Sequence, residues 1–323
     1  MKIVYLASHR PDFISKIKSY TGEEPQIIAT EPGGLYSEHS LALAAEADAL
    51  LVANEPVTEQ LLAACPKVKI VQRFGVGYEN LDLEAAAKRG IPCCNLAGVN
   101  KDAVADHGMA LIAALVRNIV PANELTKAVR WGDARHVFAS SIELRGKLLG
   151  IFGLGNTGHE LAKRGRGFGM DVAYNDIREI SAEVVESVGA RRMEKDEMLE
   201  VSDIVSINVN FNPTAAGMID AEAIGRMKPG GYLVCCARGG VIDEIALRDA
   251  LNEGRLAGAG IDVYSEEPFP ADNPLLSAKN IILTPHMAGV SRESSERNYD
   301  WAYENVRRVV ERGEPARFVL NGV

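Results

Sequence analysis

Short apolar runs along the chain alternate with longer stretches in which apolar residues recur every three or four positions. The short runs are bounded by turn residues and are typical of strands buried on both faces of a parallel sheet. The longer stretches have the period of amphipathic helices. This alternation predicts an α/β protein built from doubly wound parallel sheets. The predicted strands are 3–7, 49–53, 69–73, 148–152, 171–175, 204–207, 232–236, 259–261 and 281–283.

Two long helices are predicted from the same pattern. The first covers residues 100–118 and has Asn100 as its N-cap. The second covers residues 291–312 and is strongly amphipathic. Residues 131–141, which lack a clear period, are predicted to be irregular. The positions predicted to face inward are Val104, Gly108, Leu111 and Leu115 in the first helix and Ala302, Val306, Val309 and Val310 in the second.

The length of the chain and the position of one glycine-rich turn predict two domains. A chain of 323 residues is too long for one comfortable core. The turn at residues 153–158 lies so far from the N-terminus that a whole domain precedes it. We expect the chain to cross between domains near residues 100 and 287. One domain would then consist of residues 1–99 plus 288–323, with the second domain, 100–287, inserted into it.

Composition narrows the class of protein. Apolar residues make up 47% of the chain and charged residues 24%, and the net charge is −9 with no clustered basic patch, which argues against a nucleic-acid partner. The apolar run Ile3–Ala7 is too short for a signal peptide or a membrane span. The spacing of the five cysteines fits neither a metal site nor a disulfide framework, so they are interpreted as buried small residues of a reducing compartment. We therefore expect a cytoplasmic protein without a metal or a membrane.

The glycine-rich turn has the spacing of a dinucleotide-binding motif. Gly153, Gly155 and Gly158 follow an apolar strand and precede a helix, whose N-terminal N–H groups suit phosphates. Asp176 follows the next strand, about 20 residues on, where an acid binds the adenosine ribose hydroxyls and repels a 2′-phosphate. The sequence therefore predicts NAD as the cofactor. Arg178 leaves a small opening for NADP.

Three further polar residues suggest chemistry on a small acid. Arg238 follows a predicted strand and could bind a carboxylate bidentately. A surface ion pair of Arg238 with Asp243 or Glu244 is an equally good interpretation. His286 also follows a strand, and Glu267 is a possible partner, because a carboxylate fixes the tautomer of an imidazole and favours its protonated form. Such a histidine can donate a proton to a ketone oxygen. The remaining histidines are interpreted as structural or surface residues: His9, His39, His107, His136 and His159.

Several motifs in a fixed order together resemble the D-isomer-specific 2-hydroxyacid dehydrogenases, the family that includes phosphoglycerate, glycerate, D-lactate and formate dehydrogenases. The resemblance covers nearly the whole chain. It predicts a Rossmann cofactor domain inserted into a flavodoxin-like substrate domain, with the active site in the cleft between them. The matching segments are 73–82, 100–107, 144–147, 153–158, 237–244, 262–268 and 284–289.

The resemblance implies a role for each matched residue and a dimer formed through the cofactor domain. Arg238 would bind the substrate carboxylate and carbonyl, His286 would be the acid/base, and Glu267 its partner. Val76, Gly77 and Asn100 would bind the substrate, and Asp262 the nicotinamide end. Residues 208–212 depart from the family pattern, and Cys236 replaces a common asparagine. The implied cofactor contacts are Gly153, Gly155, Asn156, Thr157, Gly158, Asp176, Val209, Asn210, Cys236, Ala237, Arg238, Asp262, His286, Ala288 and Gly289.

The sequence leaves the substrate open. Glu55 would repel a phosphate, which favours plain acids such as glyoxylate or hydroxypyruvate, although Arg135 could reverse this inference. The alternatives are a D-3-phosphoglycerate dehydrogenase without a regulatory domain and an NAD(H)-sensing protein similar to the corepressors that resemble this family. Formate dehydrogenase is disfavoured because that branch lacks the glutamate found here as Glu267, whereas phosphite dehydrogenase keeps a similar triad.

Overall fold

The computed structural model describes residues 1–8 and 11–323. The chain folds into two compact units. The terminal unit comprises Met1–Asn100 and Ser291–Val323, and the central unit comprises Lys101–Val290. His9, interpreted above as a structural or surface residue, lies outside the described residues.

The described residues form strands and helices in alternation, as the pattern predicts. The strands are β1 (Ile3–Leu6), β2 (Gln26–Ile28), β3 (Ala49–Val52), β4 (Ile70–Arg73), β5 (Cys93–Cys94), β6 (Leu148–Phe152), β7 (Asp171–Asn175), β8 (Ala190–Arg192), β9 (Ile204–Ile207), β10 (Tyr232–Cys235), β11 (Gly258–Ile261) and β12 (Ile281–Leu283). The helices are α1 (Pro11–Thr21), α2 (Glu38–Ala44), α3 (Glu59–Ala63), α4 (Leu83–Lys88), α5 (Lys101–Val116), α6 (Ile119–Lys127), α7 (Trp131–Val137), α8 (Asn156–Gly167), α9 (Ala182–Ser187), α10 (Lys195–Val201), α11 (Ala221–Arg226), α12 (Glu244–Asn252) and α13 (Arg292–Val310).

Each unit is organised around one parallel sheet. In the terminal unit the strand order is β2-β1-β3-β4-β5, the flavodoxin-like order. In the central unit the order is β12-β11-β10-β9-β6-β7-β8, a Rossmann-type order that reverses between β6 and β9. Every pairing between named strands is parallel. The predicted α/β class is confirmed.

The central strands form because their apolar runs are buried on both faces. All five residues of β6 are buried, and so are all four of β9 and of β10. Helix α8 packs closely on this sheet because Gly165 has no side chain: a Cβ there would lie 2.8 Å from Leu149 Cδ2. Burying apolar area on both faces contributes about 25 cal/mol per Å², which compensates for the conformational entropy lost on folding.

Some elements differ from the prediction. Strands β2, β5 and β8 were not predicted, since β5 has two residues and β8 ends in two exposed arginines. Residues 131–141, expected to be irregular, instead form α7 and a 3₁₀ turn at residues 138–140. A single buried residue of α7, Ala134, accounts for the weak apolar period. The Asn118 side chain donates a hydrogen bond to Val137 O at 3.2 Å and joins the end of α7 to the preceding helices.

The described residues show the state of the cysteines, the grouping of metal-ligand side chains and the length of the apolar helices. The five cysteines are free thiols, four of them buried and Cys236 partly buried. Among residues 1–8 and 11–323, no three histidine, cysteine, aspartate or glutamate side chains converge as metal ligands. In the same residues, no single helix is long and apolar enough to cross a membrane. Helices α5 and α6, bent by 64°, reach that length and apolarity when taken together.

Candidate active site

The candidate residues of the central unit follow the carboxyl ends of its parallel strands. The glycine turn follows β6, Asp176 follows β7, Arg238 follows β10, Asp262 follows β11 and His286 follows β12. These ends meet at one edge of the sheet, the edge at which α/β proteins bind ligands.

The glycine turn leaves room for a phosphate to approach the backbone. Gly153 has φ +87°, and a Cβ there would lie 2.8 Å from Asn208 O. A Cβ on Gly158 would lie 2.0 Å from Gly153 O, so the first turn of α8 can pack against β6 here only because Gly158 lacks a side chain. Next to Gly155 the nearest atom is Arg178 Nη2, 3.5 Å from where a Cβ would be. The atom nearest to Gly155 is thus the end of a flexible side chain rather than backbone. The α8 N-terminus that follows, with Asn156 and Thr157, fits a dinucleotide pyrophosphate.

Asp176 is buried beside this turn and its carboxylate is fully hydrogen-bonded. Leu154 N donates to Oδ2 at 3.0 Å and Arg178 N donates to Oδ1 at 2.9 Å. The Arg178 guanidinium adds Nε to Oδ1 at 3.1 Å and Nη2 to Oδ2 at 3.0 Å. Burial alone would raise the pKa of Asp176, but these hydrogen bonds lower it below its ordinary value. The carboxylate is therefore charged and lies next to the turn.

His286 and Glu267 are in direct contact. His286 Nδ1 and Glu267 Oε2 are 2.6 Å apart, and Tyr264 N donates to Glu267 Oε1 at 2.9 Å. The side chain of His286 is 47% exposed, so Nε2 of the ring remains accessible to a ligand. His286 also has φ +51°, an unusual conformation for a residue other than glycine.

Asp262 anchors the loop that carries His286. It is completely buried, and its Oδ1 accepts hydrogen bonds from Thr284 Oγ1 at 2.6 Å and Met287 N at 3.0 Å. Its Oδ2 accepts one from Ala288 N at 2.9 Å. These donors lie on both sides of His286, so the carboxylate fixes the backbone around the ring.

The contact of His107 with this loop was not predicted from the sequence. Its Nε2 lies 3.1 Å from Thr284 Oγ1 and 3.7 Å from Asp262 Oδ1. It thus has a carboxylate neighbour, although the sequence offered no partner for it. Its position within the motif 100–107 was the available signal, but α5 and the loop after β12 are 177 residues apart in sequence.

Arg238 lies in a loop that packs against the loop of Glu267. A Cβ on Gly239 would lie 1.7 Å from Tyr264 O, so the two backbones approach closely because residue 239 is glycine. Arg238 Nη1 donates to Ala237 O at 2.8 Å. Asp243 and Glu244, the two acids considered above beside Arg238, also make other contacts. Asp243 caps α12, and Glu244 accepts hydrogen bonds from Ser265 N at 2.7 Å and Asn273 Nδ2 at 2.8 Å.

The remaining candidates for cofactor and substrate binding lie in both units of the chain. Val209 lies beside the glycine turn, its Cγ1 3.2 Å from a Cβ placed on Gly153, and Asn210 follows it. In the terminal unit, Val76 O accepts a hydrogen bond from Asn95 Nδ2 at 2.8 Å. The other candidates by position are Cys236 and Ala237 after β10, Ala288 and Gly289 after His286, and Gly77 and Asn100 in the terminal unit.

Glu55 has a different environment from the one expected. Its carboxylate is buried, and Oε2 accepts hydrogen bonds at 2.8 Å from both the N–H and the hydroxyl of Thr30. Glu55 therefore holds a loop of the terminal unit, and its repulsion of a phosphorylated substrate stays a prediction.

Comparison with known proteins agrees with this geometry. Residues 109–288 match the family described as D-isomer specific 2-hydroxyacid dehydrogenase, NAD binding domain. The chain is 38% identical to a glyoxylate reductase of Korarchaeum cryptofilum over 264 residues, which cover 81% of this chain and 79% of that protein. It is also 38% identical to a D-3-phosphoglycerate dehydrogenase of Methanocaldococcus jannaschii over 290 residues, but these span 89% of this chain and 54% of that longer protein.

A solved structure resembles the whole chain. The apo form of D-mandelate dehydrogenase from Rhodotorula graminis superimposes with a TM-score of 0.87 at 26% identity and covers 100% of this chain and 98% of its own. The likeness thus extends over both units.

Proposed function

This chain belongs to the D-isomer specific 2-hydroxyacid dehydrogenase family, and we propose that it reduces a small 2-oxo acid, such as glyoxylate or hydroxypyruvate, to the D-2-hydroxy acid. It is an NAD-dependent oxidoreductase that acts on the CH–OH group of a small acid. In this proposal the central unit binds NAD(H) and the terminal unit contributes to the substrate site. NADH, when bound, supplies the hydride.

His286 is the proposed acid/base. Because Glu267 contacts Nδ1 at 2.6 Å, the proton to be transferred is the one on Nε2. His286 donates this proton to the carbonyl oxygen during reduction and removes it from the hydroxyl during oxidation. Glu267 stabilises the charged ring and keeps it oriented. This contact is the observation that carries the proposal, since it joins an acid to an accessible histidine in the unit that has the dinucleotide turn.

Arg238 is the proposed partner of the substrate carboxylate. A guanidinium binds a carboxylate in a bidentate manner and also stabilises negative charge that develops on the carbonyl oxygen. The close packing of Gly239 on Tyr264 supports this role, because it fixes the Arg238 loop against the segment that bears Glu267. Backbone N–H groups of Val76 and Gly77, together with Asn100, are proposed to complete the substrate site.

The cofactor contacts are proposed from the geometry of the turn. Gly155, Asn156 and Thr157 would bind the pyrophosphate, because a flexible side chain rather than backbone lies beside Gly155 and the α8 N–H groups follow. Asp176 would bind the adenosine ribose. Asp262 would reach the nicotinamide end, next to the loop that it already anchors. The other contacts that the family resemblance implies, including those at Val209 and Ala288, remain proposals.

The preference for glyoxylate or hydroxypyruvate rests on similarity to a glyoxylate reductase over four-fifths of the chain. The second candidate, phosphohydroxypyruvate, is favoured by the similarity to D-3-phosphoglycerate dehydrogenase. The test is NADH oxidation by the purified chain with glyoxylate, hydroxypyruvate, phosphohydroxypyruvate and pyruvate. We expect the highest kcat/KM with an unphosphorylated acid, whereas a preference for phosphohydroxypyruvate would establish the second candidate.

The acid/base role is tested by His286→Ala. We expect kcat to fall by about 10²–10⁴, the usual contribution of general acid–base catalysis. His39→Ala is the control, since His39 is an exposed residue of α2. Unchanged kcat in His286→Ala would exclude the mechanism. No turnover of any acid, with tight NADH binding retained, would favour a regulatory NAD(H)-binding protein.

We also propose that the chain forms a homodimer through the central unit. Large apolar side chains on and between α6 and α7 are exposed: Val129 is 89% exposed, Trp131 67% and Ile119 52%. Large apolar side chains this exposed support a protein interface in this part of the chain. Light scattering should give about twice the chain mass of 34.8 kDa. Trp131→Glu should give the monomer, and a monomeric wild type would refute the proposal.

A further inference from the structure

Helix α5 lies directly on strand β11 of the central unit. A Cβ placed on Gly260 would lie 3.1 Å from Leu111 Cβ, so the absence of a side chain at residue 260 lets the helix approach the strand closely. His107 comes one turn before Leu111 and lies on the same face of the helix. The helix therefore places the His107 ring at the carboxyl end of β11, where its Nε2 lies 3.7 Å from Asp262 Oδ1.

The hydrogen bonds of the Thr284 hydroxyl determine which nitrogen of the His107 ring carries a proton. Thr284 Oγ1 is 2.6 Å from Asp262 Oδ1, a distance typical of a hydroxyl that donates to a carboxylate. A hydroxyl has a single proton to donate. Because that proton points to the carboxylate, His107 Nε2, 3.1 Å from Oγ1, is the donor in the second contact. The hydrogen bonds therefore run in one direction, from His107 through Thr284 to Asp262.

The conformation of His286 makes its loop sensitive to these contacts. At φ +51° its backbone lies in the left-handed region, which a residue with a side chain keeps only where the surrounding structure strongly determines it. Asp262 accepts hydrogen bonds from the two N–H groups that follow His286. Thr284, two residues before His286, joins the other side of the loop to the same carboxylate. His107 thus adds a contact from α5 to this second side of the loop.

We propose that His107 is a positioning residue for proton transfer by His286. The inference rests on the proposed function in that His286 is the acid/base. By donating to Thr284 Oγ1, His107 directs the hydroxyl proton to Asp262, so that the loop keeps a single arrangement around the ring of His286. A side chain that cannot donate leaves Oγ1 without this hydrogen bond and frees the hydroxyl to turn towards water. The ring of His286 is then held less precisely, and a displacement of about 1 Å can lower turnover by about 100-fold.

The first test compares a variant that cannot donate with one that can, in steady-state reduction of the best acid of the panel above by NADH. We expect His107→Leu to lower kcat by about 10–100-fold and to change KM for the acid by less than about 3-fold, because the ring is misplaced and the carboxylate contacts remain. His107→Gln should stay within about 3-fold of the wild type, since its amide can donate from near the position of Nε2.

His159→Leu is the matched control. His159 lies on α8, and its Nε2 is 2.9 Å from Ser187 Oγ at the end of α9, so this variant removes the same kind of imidazole–hydroxyl contact elsewhere in the central unit. Its kcat should equal that of the wild type. Unchanged kcat in His107→Leu, or an equal loss in His107→Leu and His107→Gln, would overturn the inference.

The second test needs no turnover. In the full chain labelled with ¹⁵N-histidine, the ring signals of His107, identified by their absence in His107→Gln, should show a proton on Nε2. Hydrogen exchange at 284–290 should accelerate by about 10-fold in His107→Leu and remain close to that of the wild type in His107→Gln. A ring protonated on Nδ1 alone would overturn the inference even if no variant could be purified.

The two tests separate this inference from the proposed function. A wild type that reduces an acid, together with unchanged kcat and exchange in His107→Leu, would refute the role of His107 and leave the proposed function intact. A wild type that reduces no acid would refute the proposed function. The ring spectrum and the exchange at 284–290 would then still support or overturn the positioning of this loop by His107.

Discussion

Replacing Asp262 by asparagine should destabilise the loop that carries His286. The amide oxygen of Asp262→Asn can replace Oδ1 and keep the hydrogen bonds from Thr284 and Met287. The amide nitrogen then takes the place of Oδ2 and faces another donor, the N–H of Ala288, which is 2.9 Å away and buried. An orphaned buried N–H costs about 1–3 kcal/mol, and two charge-assisted hydrogen bonds also become neutral ones. We therefore expect the free energy of unfolding to fall by about 2–4 kcal/mol.

Two measurements on the full chain check this prediction. Urea unfolding followed by circular dichroism gives the loss of stability, and hydrogen exchange read by mass spectrometry gives the protection of the amides at 284–290. Exchange in this segment should accelerate by about 30-fold or more, because each 1.4 kcal/mol of lost opening free energy corresponds to tenfold. Asp171→Asn is the control, since it makes the same chemical change at an exposed site.

The reasoning would be refuted by an Asp262→Asn variant with wild-type stability and unchanged protection at 284–290. That result would mean that the amide finds another arrangement in which Ala288 N–H is satisfied. An intermediate result is also informative. Loss of protection at 284–290 without a change in the urea midpoint would show that the loop opens independently of the sheet beneath it.

Further predictions concern the ribose site, a close backbone contact, a buried acid and the thiols. Asp176→Ala should lower the NADH/NADPH affinity ratio by at least about 10-fold, and an unchanged ratio in an equilibrium binding assay would exclude Asp176 as the ribose ligand. Gly239→Ala should lower the thermal midpoint and kcat together, because its Cβ would lie 1.7 Å from Tyr264 O. Burial alone would raise the pKa of Glu160, but hydrogen bonds from Lys101 and Lys163 lower it to about 2. The ionised Glu160 therefore contributes about 1–3 kcal/mol to the free energy of unfolding above pH 4.5, and this contribution is lost as the pH falls towards 2. The urea midpoint of Glu160→Gln should accordingly fall less than that of the wild type between pH 5 and pH 3. Burial raises the pKa of Cys235 to about 11, so a thiol reagent at pH 8 should label this residue only after unfolding.

The sequence predicted those elements whose signal is local. The strand β6, the glycine turn and Asp176 follow one another within 30 residues, and each has a pattern that can be read without knowing the rest of the fold. Helix α7 was not predicted because it buries one alanine, Ala134, and so has no apolar face that recurs in the sequence. Strand β8 was missed because an edge strand with exposed arginines has no alternation of apolar residues to reveal it.

The contacts within the candidate site could not be predicted in the same way. The carboxylate of Glu267 and the ring of His286 belong to loops after two different strands, 19 residues apart, and only strand pairing brings them together. For Arg238 the sequence left a catalytic role and a surface ion pair equally open. Pairing of this kind depends on the register of β10, β11 and β12, which no local pattern specifies.

The backbone of Tyr264 explains how the three proposed chemical groups keep a fixed geometry. Its carbonyl lies against Gly239, next to Arg238, and its N–H holds Glu267 at 2.9 Å. Its hydroxyl donates to Thr284 O at 2.8 Å, two residues before His286. Burial raises the pKa of this hydroxyl to about 12, so it remains a donor throughout the physiological range. Tyr264, in the loop after β11, therefore contacts all three loops. Because proton transfer and carboxylate binding require groups placed within about 0.5 Å, these contacts are what we expect to keep the three groups in register.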